Sequence, residues 1–167
     1  MGEKLAITKL ALTHDPSSFD CGNEALNRFI KLFALAGQRA GISQTYVATS
    51  GSEIAGYHTI VVGQVMHEGA PERLAKGVPR HPIPVIILAR LAVDRDHQGS
   101  GLGAALVADA MGRVLQAADI AGVRAMLVQA KDERAQRFYR HLGFEPFPGQ
   151  PLMLYRLLKD IRAMHEP

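Results

Sequence analysis

One segment, residues 85–130, restricts the possible folds of this chain more than any other. The apolar run Val85–Val93 lacks polar alternation, which predicts a strand buried on both faces of a sheet. Apolar residues then recur at four-residue spacing through 102–121, which predicts a helix that Gly122 ends. Ala125–Ala130 predicts a second strand. A strand, a helix and a strand in this order form one βαβ unit, so the sheet must accept a parallel pair.

The other apolar patterns place this unit in a mixed sheet flanked by helices, an α/β (α+β) fold. Segment 66–84 has four prolines and no clean period, so we expect a loop there with a short helix at 72–76. The remaining predicted strands lie at 5–12, 45–49, 54–62 and 152–158. One predicted helix is capped by Gly22-Asn23 and ends near Gly37; another is capped by Asp132, runs through Leu142 and is ended by a left-handed Gly143. No repeat or linker divides the chain, so we expect a single domain over residues 1–167.

The loop between the first strand and the helix of the βαβ unit is rich in glycine. It has the sequence Gln98-Gly99-Ser100-Gly101-Leu102-Gly103, with three glycines in five residues. Backbone N–H groups can converge in such a loop, and a ligand can approach closely where side chains are absent. The following helix adds the positive end of its dipole and its unpaired first-turn donors. The loop therefore predicts an anion site suited to a pyrophosphate.

Two known phosphate-binding loops can be compared with this one. A Walker loop is excluded because Gly103 is followed by two alanines instead of Lys and Ser or Thr. The dinucleotide pattern GxGxxG/A does match, through Gly99, Gly101 and Ala104. However, the loop lies mid-chain, too few residues follow it to build the second half of a doubly wound sheet, and a polar segment separates it from its strand. A glycine-rich turn without any ligand stays open as an alternative.

Composition and charge restrict the setting of the chain more than its chemistry. A formal net charge of +3 and a pI near 9.2 permit a nucleic-acid partner without requiring one. The single cysteine, Cys21, cannot form an intrachain disulfide, which favours a reducing compartment. The N-terminus lacks a signal-peptide pattern, and the longest apolar stretch, 83–89, is too short to span a bilayer. We therefore expect a cytoplasmic protein, and we expect no metal site.

Two motifs in the second half of the chain resemble those of a known enzyme superfamily. The run Arg90–Asp94 followed by Gln98–Gly103 resembles the acetyl-CoA motif of the GNAT acetyltransferases. Downstream, Ala135–Phe144 resembles their second motif, A-x-x-F-Y-x-x-x-G-F. The resemblance implies a GNAT-like fold with a mostly antiparallel sheet and a splayed central strand pair. It also implies transfer of an acetyl group from acetyl-CoA to an amine.

The resemblance further implies roles for individual residues. The backbone of Leu91 and Val93 would hydrogen-bond the pantetheine arm of the cofactor. The backbone N–H groups of Gln98, Gly99, Ser100, Gly101, Leu102 and Gly103 would hold its pyrophosphate. Val93 N–H is a candidate oxyanion donor. Members of the superfamily often have Asn where this chain has Asp132, so the sequence departs from their pattern at that position.

Tyr139 stands at the general-acid position of the superfamily motif. A phenol has a pKa of about 10 and stays protonated at neutral pH, so it can donate a proton to a departing thiolate. We expect Phe138 to face the core and Tyr139 to face another way; the alternative for Tyr139 is a half-buried structural aromatic. None of the seven histidines is an evident general base. That matters little if the acceptor is an α-amine, whose pKa is about 7.7–8, and more if it is a lysine near 10.4.

A narrower resemblance extends over nearly the whole chain. Segments 19–30, 45–47, 54–57 and 82–93 are similar to bacterial acetyltransferase toxins of toxin–antitoxin pairs. This implies acetylation of the α-amino group of aminoacyl-tRNA, inhibition of translation, a ribbon-helix-helix antitoxin as partner, and a homodimer. Arg90, Arg80 and Lys31 are then candidate contacts to tRNA phosphates. An ion pair with Asp94 or Asp96 is an equally good interpretation of Arg90.

Two other functions remain open. A GNAT enzyme of this kind could acetylate a small amine or a protein N-terminus with the same cofactor apparatus. A catalytically silent module could instead bind CoA and regulate a partner protein.

Overall fold

The computed structural model describes residues 5–165, whose seven strands form one sheet in the order β1-β2-β3-β4-β5-β7-β6. The strands are β1 (Ile7–Lys9), β2 (Gln44–Ser50), β3 (Glu53–Val65), β4 (Ile83–Val93), β5 (Ala125–Gln129), β6 (Glu145–Phe147) and β7 (Gln150–Leu157). The helices are α1 (Glu24–Arg28), α2 (Ala34–Arg39), α3 (Glu72–Ala75), α4 (Leu102–Ala118), α5 (Glu133–His141) and α6 (Leu158–His165). A π-helical turn, Phe29–Phe33, joins α1 to α2, and 3₁₀ turns lie at His67–Gly69 and Arg95–His97.

The strand pairings confirm the mixed, mostly antiparallel sheet. β1 pairs with β2, β2 with β3, β5 with β7 and β6 with β7, all antiparallel. β4 and β5 are parallel, as the βαβ pattern requires, with a register that runs from Val85–Ala125 to Leu88–Val128. β4 then continues to Val93, so Leu91 and Val93 lie beyond this register.

The described residues form two compact units. The first contains 5–61 and 89–110, the second contains 62–88 and 111–165, and β3, β4 and α4 contribute to both. In the core of the first unit, Tyr57 packs between Phe19 and Phe29, with ring centroids 5.5 and 6.1 Å away. The core of the second unit is formed by Leu74, Ile83, Val85, Ala125, Leu127, Phe147, Tyr155 and Leu157.

Several local predictions are confirmed because short-range chemistry decides them. The Asn23 side chain accepts a hydrogen bond from Leu26 N at 3.2 Å, and Asp132 accepts one from Ala135 N at 2.8 Å. Gly143 has φ +96°, the left-handed conformation that ends α5. The short helix expected at 72–76 is α3, at Glu72–Ala75.

Other expectations are wrong in their bounds or burial. The strand expected at 5–12 is only Ile7–Lys9, and the one expected to reach Leu158 ends at Leu157, where α6 begins. The helix expected to stop near 37 runs to Arg39 and changes to π geometry on the way. β4 is not buried along its whole length, because Ala89 is exposed. None of the helices in the described part is long and apolar enough to cross a membrane.

Candidate active site

The glycine loop has the geometry of an anion cradle. Gly99 and Gly101 have φ values of +78° and +86°, in the left-handed region that side chains rarely adopt. A Cβ added at either position would meet no atom within 4 Å, so the space beside the loop is open to a ligand. The loop leads directly into α4, a helix of 17 residues whose first N–H groups have no partner within the helix. These features fit a pyrophosphate, with no side-chain cation required.

Gln98 anchors the start of this loop through its side chain. Its Nε2 donates to Val93 O at 2.9 Å and to Cys21 O at 3.1 Å. Its backbone N–H is directed at Arg95 O at 3.4 Å, closing the 3₁₀ turn between strand and loop. The side chain of Ser100 donates to His97 O. The sequence indicated Gln98 only as a backbone donor, whereas the structure makes its amide the link between β4 and the loop.

A second set of bonds ties the end of β4 to the segment before α1. Asp94 accepts hydrogen bonds from Asp20 N at 3.0 Å and from Asp96 N at 2.9 Å, and Arg95 N donates to Asp20 O at 2.9 Å. Asp20 also accepts from Gly22 N, and this bond, followed by one from Asn27, lowers the pKa of the Asp20 carboxyl. The segment around Cys21 is therefore a structural support of the loop.

The strand β3 fixes the start of α4. Gly56 has no room for a side chain, since a Cβ there would approach Leu106 Cδ1 at 3.0 Å and Leu102 Cδ2 at 3.2 Å. Two residues along the same face of β3, the fully buried His58 contacts Asp109 of α4, with Nε2 and Oδ2 2.8 Å apart. The His58 ring also stacks on Tyr46 at 5.1 Å. The helix that carries the anion loop is thus seated on β3 by close packing and by a buried polar pair.

We expect His58→Ala to lower the free energy of unfolding by about 2–4 kcal/mol, because it leaves a cavity and removes a hydrogen bond to a carboxylate. Urea denaturation followed by circular dichroism measures this cost. His81→Ala is the matched control, since His81 is exposed and its loss should change stability by less than about 0.5 kcal/mol. Equal stabilities of the two variants would show that the His58–Asp109 pair does not hold α4.

Leu91 and Val93 lie on the last part of β4, where buried and half-buried residues alternate along the strand. Ala92 between them is 5% exposed and packs in the core of the first unit, while both neighbours are half-buried. Their backbone groups are therefore on a strand end that the first unit holds firmly. The Val93 carbonyl already accepts the Gln98 amide.

Tyr139 lies in the last turn of α5, and its side chain is only 7% exposed. The ring packs edge-on against Phe138 at 5.1 Å and against Phe144 at 5.6 Å. Burial raises the pKa of its hydroxyl to about 12. The group is therefore a proton donor, and not a phenolate, at any physiological pH.

The expectation that Phe138 faces the core and Tyr139 does not is wrong. Phe138 is half-buried, and Tyr139 is the buried member of the pair. Ala135 and Tyr139 lie four residues apart and therefore share one side of α5, on which Ala135 is half-buried and Tyr139 is buried. The more apolar ring is left at the edge because helical geometry, and not side-chain polarity, selects the inward position.

The three candidate tRNA contacts have different surroundings. The guanidinium of Arg90 lies over the Phe29 ring, 3.8 Å from its centroid, in a cation–π contact. In residues 5–165 no ion pair joins Arg90 to Asp94 or Asp96, so that interpretation is wrong. Lys31 is exposed on the π-helical turn of the first unit, and Arg80 is exposed in the second unit before β4.

A pocket of about 440 Å³ lies beside Arg90 in the first unit. It is lined by Phe29, Phe33, Ala36, Gly37, Ile42, Ser43, Val61 and Arg90. The π-helical turn contributes Phe29 and Phe33, and π turns are frequent at functional sites. The sequence indicated only a helix here; the one available signal was the pair of aromatics four residues apart. Within the described residues there is no cluster of metal-ligating side chains.

Comparison with known proteins agrees with this geometry. Residues 41–146 match the family model described as "Acetyltransferase (GNAT) domain". A tRNA-acetylating toxin of Mycobacterium tuberculosis is 43% identical over 150 residues, which cover 90% of this chain and 90% of that protein.

Solved structures are similar over the whole length. AtaT in complex with acetyl-methionyl-tRNAfMet is 34% identical with a TM-score of 0.89, covering 98% of this chain and 100% of that one. A tyrosine-to-phenylalanine mutant of AtaT, bound to the C-terminus of the antitoxin AtaR and to acetyl-CoA, is 32% identical with a TM-score of 0.84, covering 99% and 100%. The glycine loop, the βαβ unit and these similarities together show that the chain belongs to the GNAT family and is an N-acetyltransferase.

Proposed function

We propose that this enzyme transfers the acetyl group of acetyl-CoA to the α-amino group of aminoacyl-tRNA and thereby inhibits translation. The main support for aminoacyl-tRNA as the acceptor is the 43% identity, over 90% of the chain, to a protein named for acetylating tRNA. A related structure that contains acetyl-methionyl-tRNAfMet supports the same acceptor. Because aminoacyl-tRNA serves translation, the proposal places the enzyme in the cytoplasm.

The glycine loop would hold the cofactor. Acetyl-CoA supplies the acetyl group as an activated thioester. The N–H groups of Gly99, Ser100, Gly101, Leu102 and Gly103 would bind its pyrophosphate. Gln98, whose own N–H is directed at Arg95 O, would fix the loop through its side chain. The backbone of Leu91 and Val93 would orient the pantetheine arm, with Val93 N–H as a candidate oxyanion donor. A related structure that contains acetyl-CoA supports this assignment.

Tyr139 would act as the general acid. Its hydroxyl would give its proton to the sulfur as the C–S bond breaks, so that a neutral thiol departs instead of a thiolate. With a pKa of about 12 the hydroxyl keeps its proton at the pH of the reaction and is available as a donor. The buried aromatic setting also excludes water from the donor.

The proposal predicts a pH profile with one limb. The acceptor α-amine must be neutral and has a pKa of about 7.7–8, so kcat/KM should rise up to about pH 8 and then level off. Since the pKa of Tyr139 is raised to about 12, no fall should follow up to about pH 9.5. Initial rates in short incubations with charged tRNA measure the profile. A fall in kcat/KM within that range would show that the general acid has a lower pKa than Tyr139 and is therefore another group.

The acceptor side of the site would be formed around Arg90. The aminoacyl group would enter the pocket beside Phe29, and Arg90, whose guanidinium lies over that ring, would present N–H groups to the acceptor end of the tRNA. Lys31 and Arg80 would contact phosphates, which contribute affinity without sequence choice. No strong base is needed, because an α-amine is largely neutral near pH 8.

We also propose an antitoxin partner and a homodimer. The related AtaT structure with the C-terminus of AtaR supports an antitoxin that binds the enzyme directly. A ribbon-helix-helix fold for that partner and a dimeric state for this chain follow from the resemblance to toxin–antitoxin acetyltransferases.

Expression of the chain alone in bacteria tests the biological part of the proposal. Growth should arrest, and co-expression of the cognate antitoxin or the substitution Tyr139→Phe should relieve the arrest. Normal growth at high levels of folded, acetyl-CoA-binding protein would contradict the toxin function. If the purified enzyme then turned over acetyl-CoA with polyamines or peptides, the first alternative would hold. Binding without turnover on any acceptor would indicate the silent module.

A further inference from the structure

The most unusual side chain outside the site described above is a buried arginine. Arg156, in β7 of the second unit, is 6% exposed. Its Nη1 donates to Leu142 O at 2.6 Å and contacts Met111 Sδ at 3.6 Å, and its Nη2 contacts Met164 Sδ. Its Nε is buried and lacks a hydrogen-bond partner among the described residues. The strongest of these contacts is therefore the one to the carbonyl of Leu142.

Such an arrangement costs free energy. Burial lowers the pKa of Arg156, although a guanidinium stays charged. The attraction of the Asp160 carboxylate, two thioethers and one carbonyl compensate only in part for a desolvated cation. Replacement of buried charged groups by apolar residues of similar size is often neutral or stabilising, so a buried arginine suggests a role besides stability of the core.

The guanidinium of Arg156 lies at the end of α5, beside Leu142 and Gly143. Gly143 follows Leu142 with φ +96°, and a Cβ there would lie 2.7 Å from the guanidinium carbon of Arg156. The guanidinium can therefore pack against this turn only because residue 143 has no side chain. A cation placed at the C-terminus of a helix also interacts favourably with the helix dipole.

This turn is the one that carries Tyr139. The Tyr139 carbonyl accepts hydrogen bonds from Leu142 N at 3.0 Å and from Phe144 N at 3.1 Å, and the Phe144 ring packs against the Tyr139 ring. Arg156 donates a hydrogen bond to Leu142 O and so binds the same turn, residues 139–144. Movement of this turn would shift both the Tyr139 backbone and the Phe144 ring that packs against the Tyr139 ring.

We propose that Arg156 is a positioning residue for Tyr139, which it holds in place through the carbonyl of Leu142 and the turn at Gly143. The proposal rests on the general-acid role given to Tyr139 under Proposed function. Arg156 would touch neither substrate nor cofactor. It acts on the rate of acetyl transfer, and not on the binding of acetyl-CoA.

A double-mutant cycle in the full-length enzyme tests the proposal. Arg156→Met should lower kcat about tenfold and change the KM for acetyl-CoA less than about twofold, since small displacements of a reacting group are costly. In the Tyr139→Phe background the same substitution should change kcat less than about twofold, because the positioned hydroxyl is gone. Arg162→Met, an exposed arginine of α6 in the same unit, is the matched control and should leave kcat unchanged.

The outcomes separate the two claims. An equal loss in both backgrounds, or a wild-type kcat in Arg156→Met, would overturn the positioning role while leaving the general acid intact. A wild-type kcat in Tyr139→Phe alone would overturn the general acid and with it the premise for Arg156. If Arg156→Met fails to fold, Arg156→Lys takes its place in the cycle. Lysine keeps the charge but not the planar fork, so kcat should fall about threefold with Tyr139 present and not in its absence.

Discussion

Replacing Tyr139 with phenylalanine should lower kcat by about 10²- to 10³-fold and leave the KM for acetyl-CoA within about twofold of the wild-type value. The substitution removes one hydroxyl and keeps the ring, so the contacts with Phe138 and Phe144 survive. The lost step is proton donation to the departing thiol group. Steady-state rates with a saturating acceptor measure the effect.

The neighbouring aromatic provides the control for this experiment. Phe138→Leu alters the packing of the same ring cluster but leaves the Tyr139 hydroxyl in place, so kcat should fall by no more than a few-fold. If both variants lose the same activity, the aromatic packing and not the hydroxyl matters. A kcat for Tyr139→Phe within threefold of wild type would remove Tyr139 from the mechanism.

The second large effect is expected in the glycine loop. Gly101→Ala adds a Cβ on the open side of the cradle and forces alanine into φ +86°, a conformation that costs about 1–2 kcal/mol for residues with a side chain. Because this Cβ would occupy space that the pyrophosphate needs, the Kd for CoA should rise at least about tenfold, with a smaller change in kcat. Isothermal titration calorimetry with CoA measures the binding directly.

Gly149→Ala is the matched control for the loop variant. Gly149 also has a positive φ, +75°, and open space around its Cβ position, but it lies in the turn between β6 and β7. Both variants should lose similar stability, whereas only Gly101→Ala should lose affinity for CoA. Unchanged CoA binding in Gly101→Ala would exclude the loop as the pyrophosphate site.

Local chemistry made part of this structure predictable. The caps at Asn23 and Asp132, the left-handed Gly143 and the glycine loop before α4 each depend on a few neighbouring residues, and each is observed. The βαβ unit follows from apolar periodicity, which the core enforces directly. The glycine loop and its place before α4 were therefore predictable from the sequence.

Features that depend on distant residues were not accessible in this way. The stacking of Arg90 on Phe29 joins residues far apart in the chain, and the sequence offered only nearby aspartates as partners. Arg156 beneath Gly143 is another such contact. β6 was missed because its three residues, which include Pro146, have no strand pattern and take strand geometry from their pairing with β7.

Acetyl transfer to charged tRNA, measured against uncharged tRNA, polyamines and peptides, tests the central claim most directly. The purified enzyme is incubated with labelled acetyl-CoA and each acceptor, and the tRNA is digested to aminoacyl-adenosine for mass spectrometry. We expect label on the α-amino group of the aminoacyl-adenosine and none on uncharged tRNA. Turnover with polyamines or peptides but not with charged tRNA would contradict it.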